Sequence, residues 1–272
     1  MRLFRLAWLG GLLGVAAFAA GEGANLCRNG DFGKVRNGQA EGWGRADGLT
    51  VFIDEKGGKP GACVRFDTSV LQVDKAKFQQ SVEEFKGRSK GDKTGYDTVG
   101  AHEGVWLFCA PIEVKPDDQF FVVEADAKAP ARSDALCYPQ VFIRGYQKYD
   151  PENFPPGQQP SGYFQTPIEG GPAFTEEFGK EQRLAKEGDF IMVYRHSLVC
   201  RLEAPNVWQH YAMAFKLPKE RKFRPDVLLL KCYAMWPLGN YYFDNVSLRR
   251  VDKAEFDALK AKAHSIKGFE IK

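Results

Sequence analysis

Gln140, Phe142, Arg144 and Tyr146 recur at every second position of one apolar stretch. In an extended strand they would project from one face, because successive side chains alternate. The set unites flat rings with an amide and a guanidinium. Rings offer an apolar surface to the C–H face of a pyranose, while amide and guanidinium groups hydrogen-bond its hydroxyls, and preformed ligand sites commonly hold both kinds of group. Arg144 beside an aromatic ring would suit an acidic sugar or an array of hydroxyls. Trp106, Tyr149 and Trp236 complete a candidate ligand-binding set with Gln140, Arg144 and Tyr146, and Gln147 stands nearby. Tyr146 and Tyr149 border a Pro- and Gly-rich stretch, where packing alone explains aromatics poorly. Trp43 and Trp208 are expected to pack in the core instead.

A second chemistry is proton transfer. Tyr/His/Arg sets abstract protons in polysaccharide lyases, and His102, Arg144, Tyr146, Tyr194 and His196 supply those residue types. Tyr194 and His196 share a face if their strand is regular. No nucleophile elbow, P-loop, zinc-protease or dinucleotide motif occurs. The carboxylate pairs Asp117–Asp118 and Glu176–Glu177 are adjacent residues, which point to opposite faces of an extended chain and make poor acid/base partners.

Residues 1–20 read as a secretory signal: Arg2 and Arg5, an apolar run from Leu6 to Ala20, and a small-x-small site at Ala17–Ala19. That run is too short to span a bilayer comfortably, and no later run approaches the necessary length. Loss of Arg2 and Arg5 takes the formal charge from +3 to +1, which argues against a nucleic-acid partner. The expected location is secreted, periplasmic or cell-envelope. Six cysteines, at 27, 63, 109, 137, 200 and 232, lack zinc-ligand spacing. In an exported chain the even count favours at least one disulfide, with fifteen possible connectivities for three; buried free thiols are the alternative.

The elements that must position these residues are strands. Segments 49–53, 62–67, 105–109, 120–127, 141–146, 190–194, 208–217, 227–233 and 241–251 are rich in β-branched and aromatic residues and bounded by Gly, Pro or Asp. Many short strands with such punctuation indicate a sandwich. Two long insertions interrupt them, about 75–104, with a short helix expected near 77–85, and 147–189. After residue 252, Phe256, Leu259, Ala263 and Ile266 fall on one helical face, predicting a tail helix that docks on the sandwich or, failing that, on a protein partner.

Four segments in order carry a family resemblance: 25–32 (NLCRNGDF) followed by Gly42-Trp43, 112–128 (IEVKPDDQFFVVEADAK), 208–218 (WQHYAMAFKLP) and 242–248 (YFDNVSL). Together they resemble carbohydrate-binding modules of families 4, 9 and 22, galactose-binding-like jelly rolls whose first and last strands lie together, often around a structural calcium. The resemblance implies that 25–32 is a strand running into a turn. It also implies that Asp244, with Asp31 and the carbonyl of Gly30 or Asn29, would share the ion. Gly33 and Asn245 stand where relatives often carry carboxylates, which weakens that set. Asn245–Ser247 matches a glycosylation sequon inside a predicted strand and is discounted.

The reading is an all-β, β-sandwich jelly roll with two long insertions and a short C-terminal helix. A signal peptide occupies 1–20, the sandwich 21–251 and the helical tail 252–272. Its expected function is non-catalytic binding of a polysaccharide or oligosaccharide. A lyase or glycoside hydrolase on the same scaffold is the first alternative, and a structural or cell-surface interaction module without a sugar site is the second.

Overall fold

The computed structural model describes residues 23–80, 97–129, 139–150, 152, 164–167, 174–176, 190–201, 203–263 and 269–271. Residues 1–20, expected to be a signal peptide, Cys137 and most of the second insertion lie outside them. The protein is an all-β sandwich. One sheet, seven-stranded, runs β10 (Phe174–Glu176), β9 (Phe164–Pro167), β11 (Phe190–Val199), β8 (Gln140–Lys148), β13 (Val227–Ala234), β5 (Val105–Phe108), with β6 (Ile112–Glu113) also on β13. The other, six-stranded, runs β15 (Phe269–Ile271), β12 (Gln209–Lys216), β7 (Phe120–Lys128), β14 (Asn240–Val251), β4 (Gly61–Asp67), β3 (Val51–Gly58). The chain changes sheet at most of its later connections, as a jelly roll does. All these pairings are antiparallel except β12 with β15. A small ladder, β1 (Val35–Arg36) with β2 (Gln39–Ala40), precedes them.

Alternation decides which side chains enter the core. On β7, Phe121, Val123, Ala125 and Ala127 face inward, and on β13 Leu228, Leu230, Cys232 and Ala234 do so. Phe121 stacks on Phe215 of β12, with centroids 5.5 Å apart. The five described cysteines are free thiols, all buried. The disulfide expected for an exported chain is not formed among them, and they fill the core as small hydrophobes. Cys109 Sγ also accepts a hydrogen bond from the Leu230 N–H at 3.1 Å.

The opening segment differs from expectation. Residues 25–32 form turns rather than a strand, because Asn29 and Phe32 take φ of 53° and 51°, which no extended ladder accommodates. The segment still lies on the last strand. Leu26 N–H donates to Leu248 O (2.7 Å), Val246 N–H to Gly30 O (2.8 Å), and Leu248 N–H to Asn25 Oδ1 (3.0 Å). Phe32 is fully buried against Trp43, itself 3% exposed and a core residue as expected, with ring centroids 4.7 Å apart.

Helix α1 spans Gln72–Gln80, α2 Val99–His102 and α3 Lys253–Ala263. The tail helix docks on the sandwich: Phe256 and Leu259 pack with Val122 and Ala214 on the outer face of the six-stranded sheet.

Candidate functional site

The register of the seven-stranded sheet brings four of the six candidate ligand residues onto its outer face. Trp106 on β5 lies opposite Tyr233 on β13, which lies opposite Gln140 on β8, so three strands contribute one continuous row. One row further along, Phe108, Lys231 and Phe142 are opposite one another. The next sets Leu229 opposite Arg144, and Arg144 opposite Arg195 of β11. Trp106, Gln140, Phe142, Arg144 and Tyr233 are half-buried.

This face is built from rings and cations. Lys231 is 4% exposed, and its Nζ sits 4.5 Å from the Trp106 ring centroid, 5.1 Å from Phe108 and 5.8 Å from Tyr233. A cation held against ring faces away from water gains about 2 kcal/mol. Lys75 of α1 approaches Trp106 from outside the sheet, 5.2 Å from its centroid, while its ammonium pairs with Glu103 at 2.6 Å. Phe142 packs on Tyr233 with centroids 5.3 Å apart, and the Arg144 guanidinium lies 4.4 Å from the Phe142 centroid. Chemically, the face offers apolar ring surface bordered by the Gln140 amide, with the Arg144 Nε and Nη1 buried beside it.

The remaining candidates lie elsewhere or deeper. Tyr146 is on the same face but fully buried, packed with Phe108 and Leu229. Tyr149 is 7% exposed and packs with Ile191 in a separate cluster. The pattern that set these tyrosines near a polar stretch did not register the strand-end packing that covers them. Trp236 lies in the turn between β13 and β14, not on the row. Trp208, expected in the core, is half-buried on the outer face of the other sheet, where it meets Lys128 and Tyr242.

The proton-transfer set is not assembled. A bulge between Met192 and Tyr194 turns Tyr194 and His196 inward, where Tyr194 lies opposite Gly145 and both rings neighbour Phe215, at 6.0 and 6.5 Å. Arg144 and Tyr146 face the other way, and His102 ends α2. Burial pushes the Tyr194 hydroxyl well above the usual phenol range, so it stays protonated.

The two carboxylates expected to share calcium, Asp31 and Asp244, each accept backbone N–H groups. Asp244 is fully buried, and its carboxylate accepts the N–H groups of Lys59 (2.5 Å) and Asn245 (2.7 Å). Burial raises its pKa in spite of those bonds. Asp31 lies on an exposed turn and accepts Gly33 N–H at 3.3 Å. Calcium takes six to eight oxygens, and among the described residues no group of three or more carboxylate, His or Cys side chains is placed to hold a metal.

A constellation that the sequence reading passed over stands beside Asp244. His210 of β12 lies opposite Asp126 of β7, and Asp126 opposite Asp244. His210 Nδ1 is 3.2 Å from Asp126 and its Nε2 3.8 Å from Glu124. Hydrogen bonds to both carboxylates, Asp126 first, raise the imidazole to about 9. Glu124 is lowered, chiefly by His210. Asp126 is lowered too, because bonds from His210 and Asn245 outweigh its burial. The only sequence signal was alternation, which sets Glu124 and Asp126 on one face.

A cleft of about 540 Å³ at the far end of β13 is lined by Val114, Pro116, Lys219, Arg221 and Arg224. Its two arginines are engaged internally: Arg221 pairs with Asp226 at 2.9 Å, and Arg224 donates to the carbonyls of Lys115, Pro116 and Asp118.

No family model and no curated protein sequence matches this chain. Among solved structures it is similar to a "Family 16 Carbohydrate Binding Module-2" (14% identity, 80% of this chain and 99% of that one, TM-score 0.37). It is also similar to a structure titled "CBM4 structure and function" (10%, 83% and 99%, 0.34). A third is the arabinose-bound α-L-arabinofuranosidase MgGH51 (10%, 89% and 30%, 0.42).

Proposed function

We propose that the protein binds a carbohydrate without cleaving it, on the outer face of the seven-stranded sheet, and that it does so outside the cytoplasm after losing residues 1–20. One observation carries the reading: register-paired Trp106, Tyr233 and Gln140 share a half-buried row, with Phe142 and Arg144 beside it. The rings would stack on pyranose faces, with Gln140 and Arg144 donating to hydroxyls. Tyr146 and Lys231 support these groups from below. Lys231, set among three rings, fixes the tilt of the Trp106 platform.

Affinity electrophoresis through gels containing a panel of neutral plant and algal polysaccharides tests this, with each polysaccharide assayed afterwards for new reducing ends. Retardation without cleavage, lost in Trp106→Ala and weakened in Gln140→Ala, is the expected result. New chain ends would overturn the non-catalytic reading. Retardation unaffected by Trp106→Ala would overturn the site.

A further inference from the structure

The outer face of the six-stranded sheet carries a second cross-strand row. Lys128 on β7 lies opposite Tyr242 on β14, Tyr242 opposite Arg65 on β4, and Arg65 opposite Phe52 on β3. Gln209 lies opposite Ala127, so one further step of that register sets Trp208 beside Lys128. The row reads ring, cation, ring, cation, ring, from the residue before β12 across four neighbouring strands. The contacts follow that order. Lys128 Nζ lies 4.7 Å from the Trp208 centroid and 4.4 Å from that of Tyr242, and the Arg65 guanidinium lies 4.0 Å from the Phe52 centroid. Trp208 and Tyr242 meet edge to face with centroids 6.4 Å apart.

Strands lie about 4.8 Å apart, so the backbones under the row span about 19 Å. The side chains converge above them, with the Lys128 ammonium held between the Trp208 and Tyr242 rings. All five residues are half-buried. The Lys128 ammonium makes no hydrogen bond or ion pair to any described residue, while Arg65 spends one N–H on Asn240 Oδ1 at 2.9 Å.

No carboxylate stands in the row, and those beside it are occupied. Asp126 is held by His210, Asn245 and Lys59, Asp244 by two backbone N–H groups, and Asp67, buried, by Ser69. Asp54, at the β3 edge, accepts from the Lys56 N–H. The row therefore presents two cations between three platforms.

We propose that this row is a second ligand surface, on the sheet opposite the one assigned above, and that it takes an acidic polysaccharide that contains both neutral and uronate sugars. Neutral rings stack on Trp208, Tyr242 and Phe52 while carboxylates meet Lys128 and Arg65. The surface stands whether or not the other sheet binds sugar.

The test is affinity electrophoresis of the full-length protein through gels containing hyaluronate, whose uronate alternates with a neutral N-acetylhexosamine. Parallel gels contain a neutral glucan or single-stranded oligo(dT). Hyaluronate is expected to retard the wild type in a salt-sensitive manner. Lys128→Met and Trp208→Ala are each expected to weaken that retardation about tenfold or more while keeping the wild-type circular dichroism and Tm to within a few degrees. Lys222→Ala, exposed and remote from the row, controls for loss of bulk charge. Absence of retardation by hyaluronate, retardation equal in Lys128→Met and wild type, or stronger retardation by oligo(dT) would each overturn the proposal. Trp106→Ala in the neutral-glucan gel reports on the other face, so failure of one surface is distinguishable from failure of the other.

Discussion

Consider His210→Ala. In the native protein the imidazole lies between Asp126 and Glu124, and its pKa stands at about 9 rather than near 6.5. A raised pKa means that the protonated form is favoured by folding. The contribution is therefore fully present below about pH 6.5 and is lost as the pH rises through about 9. At face value the displacement would correspond to about 3.4 kcal/mol. The side chain is 45% exposed, however, and solvent screening of a pair so placed reduces the figure to about 1 kcal/mol. The variant should lose about that much at pH 6, seen as a drop in Tm of about 2–4 °C for a chain of this size. The two carboxylates shape the acid side. Their pKa values are lowered, so their stabilisation is present above the ordinary carboxylate range and lost as the pH falls through the lowered values. Urea unfolding of wild type and variant from pH 3 to pH 10 should show a stability difference largest near pH 6 and shrinking towards both ends. A difference constant across that range would mean that His210 acts through packing alone, and the ion-pair account would be wrong.

Three further substitutions probe other parts of the structure. Gly30→Ala would place a methyl group 1.7 Å from the Val246 carbonyl oxygen, and should cost about 3 kcal/mol in chemical unfolding by lifting the opening turn off β14. Trp43→Ala removes a core ring packed on Phe32 and should cost about 3–5 kcal/mol, measurable as a shift in the urea midpoint with little change in slope. Asn245→Asp replaces the amide that donates to Asp126 at 2.9 Å with a second carboxylate, and should destabilise by about 1–3 kcal/mol at pH 7. Like charges raise the pKa of that new pair, so the lost stability should return as the pH falls towards 4; a penalty that persists in acid would refute the charge explanation.

Much of the scaffold was legible because a half-buried strand writes its geometry into alternation. Each of the nine predicted segments overlaps an observed strand, and β7 and β14 agree to within a residue or so at each end. What failed did so for local reasons. The segment at 25–32 has an apolar run, but Asn29 and Phe32 adopt positive φ, and a side chain, Asn25, stands in for part of the ladder. β11 continues five residues beyond its predicted end, through a bulge that no periodicity announces. The candidate site was half legible. Gln140, Phe142 and Arg144 were placed on one face by counting in twos, yet their meeting with Trp106 and Tyr233 depends on cross-strand register, which one strand's sequence does not encode. The same limit hid the row from Trp208 to Phe52, whose members come from four separate strands and the residue that precedes β12.

The docking of the opening turn on β14 has a consequence for the order in which the molecule is made. Asn25 hydrogen-bonds to residues 221 and 223 positions later. A contact that spans so much of the chain cannot form before nearly all of the chain has been made. Until Val246 and Leu248 have emerged and joined their sheet, the first residues of the sandwich have no place to dock. They then remain extended and available to whatever machinery is handling the chain. The front of the polypeptide thus waits for its far end, and a chain truncated before β14 would leave its leading turn without a dock and would split the six-stranded sheet between β7 and β4.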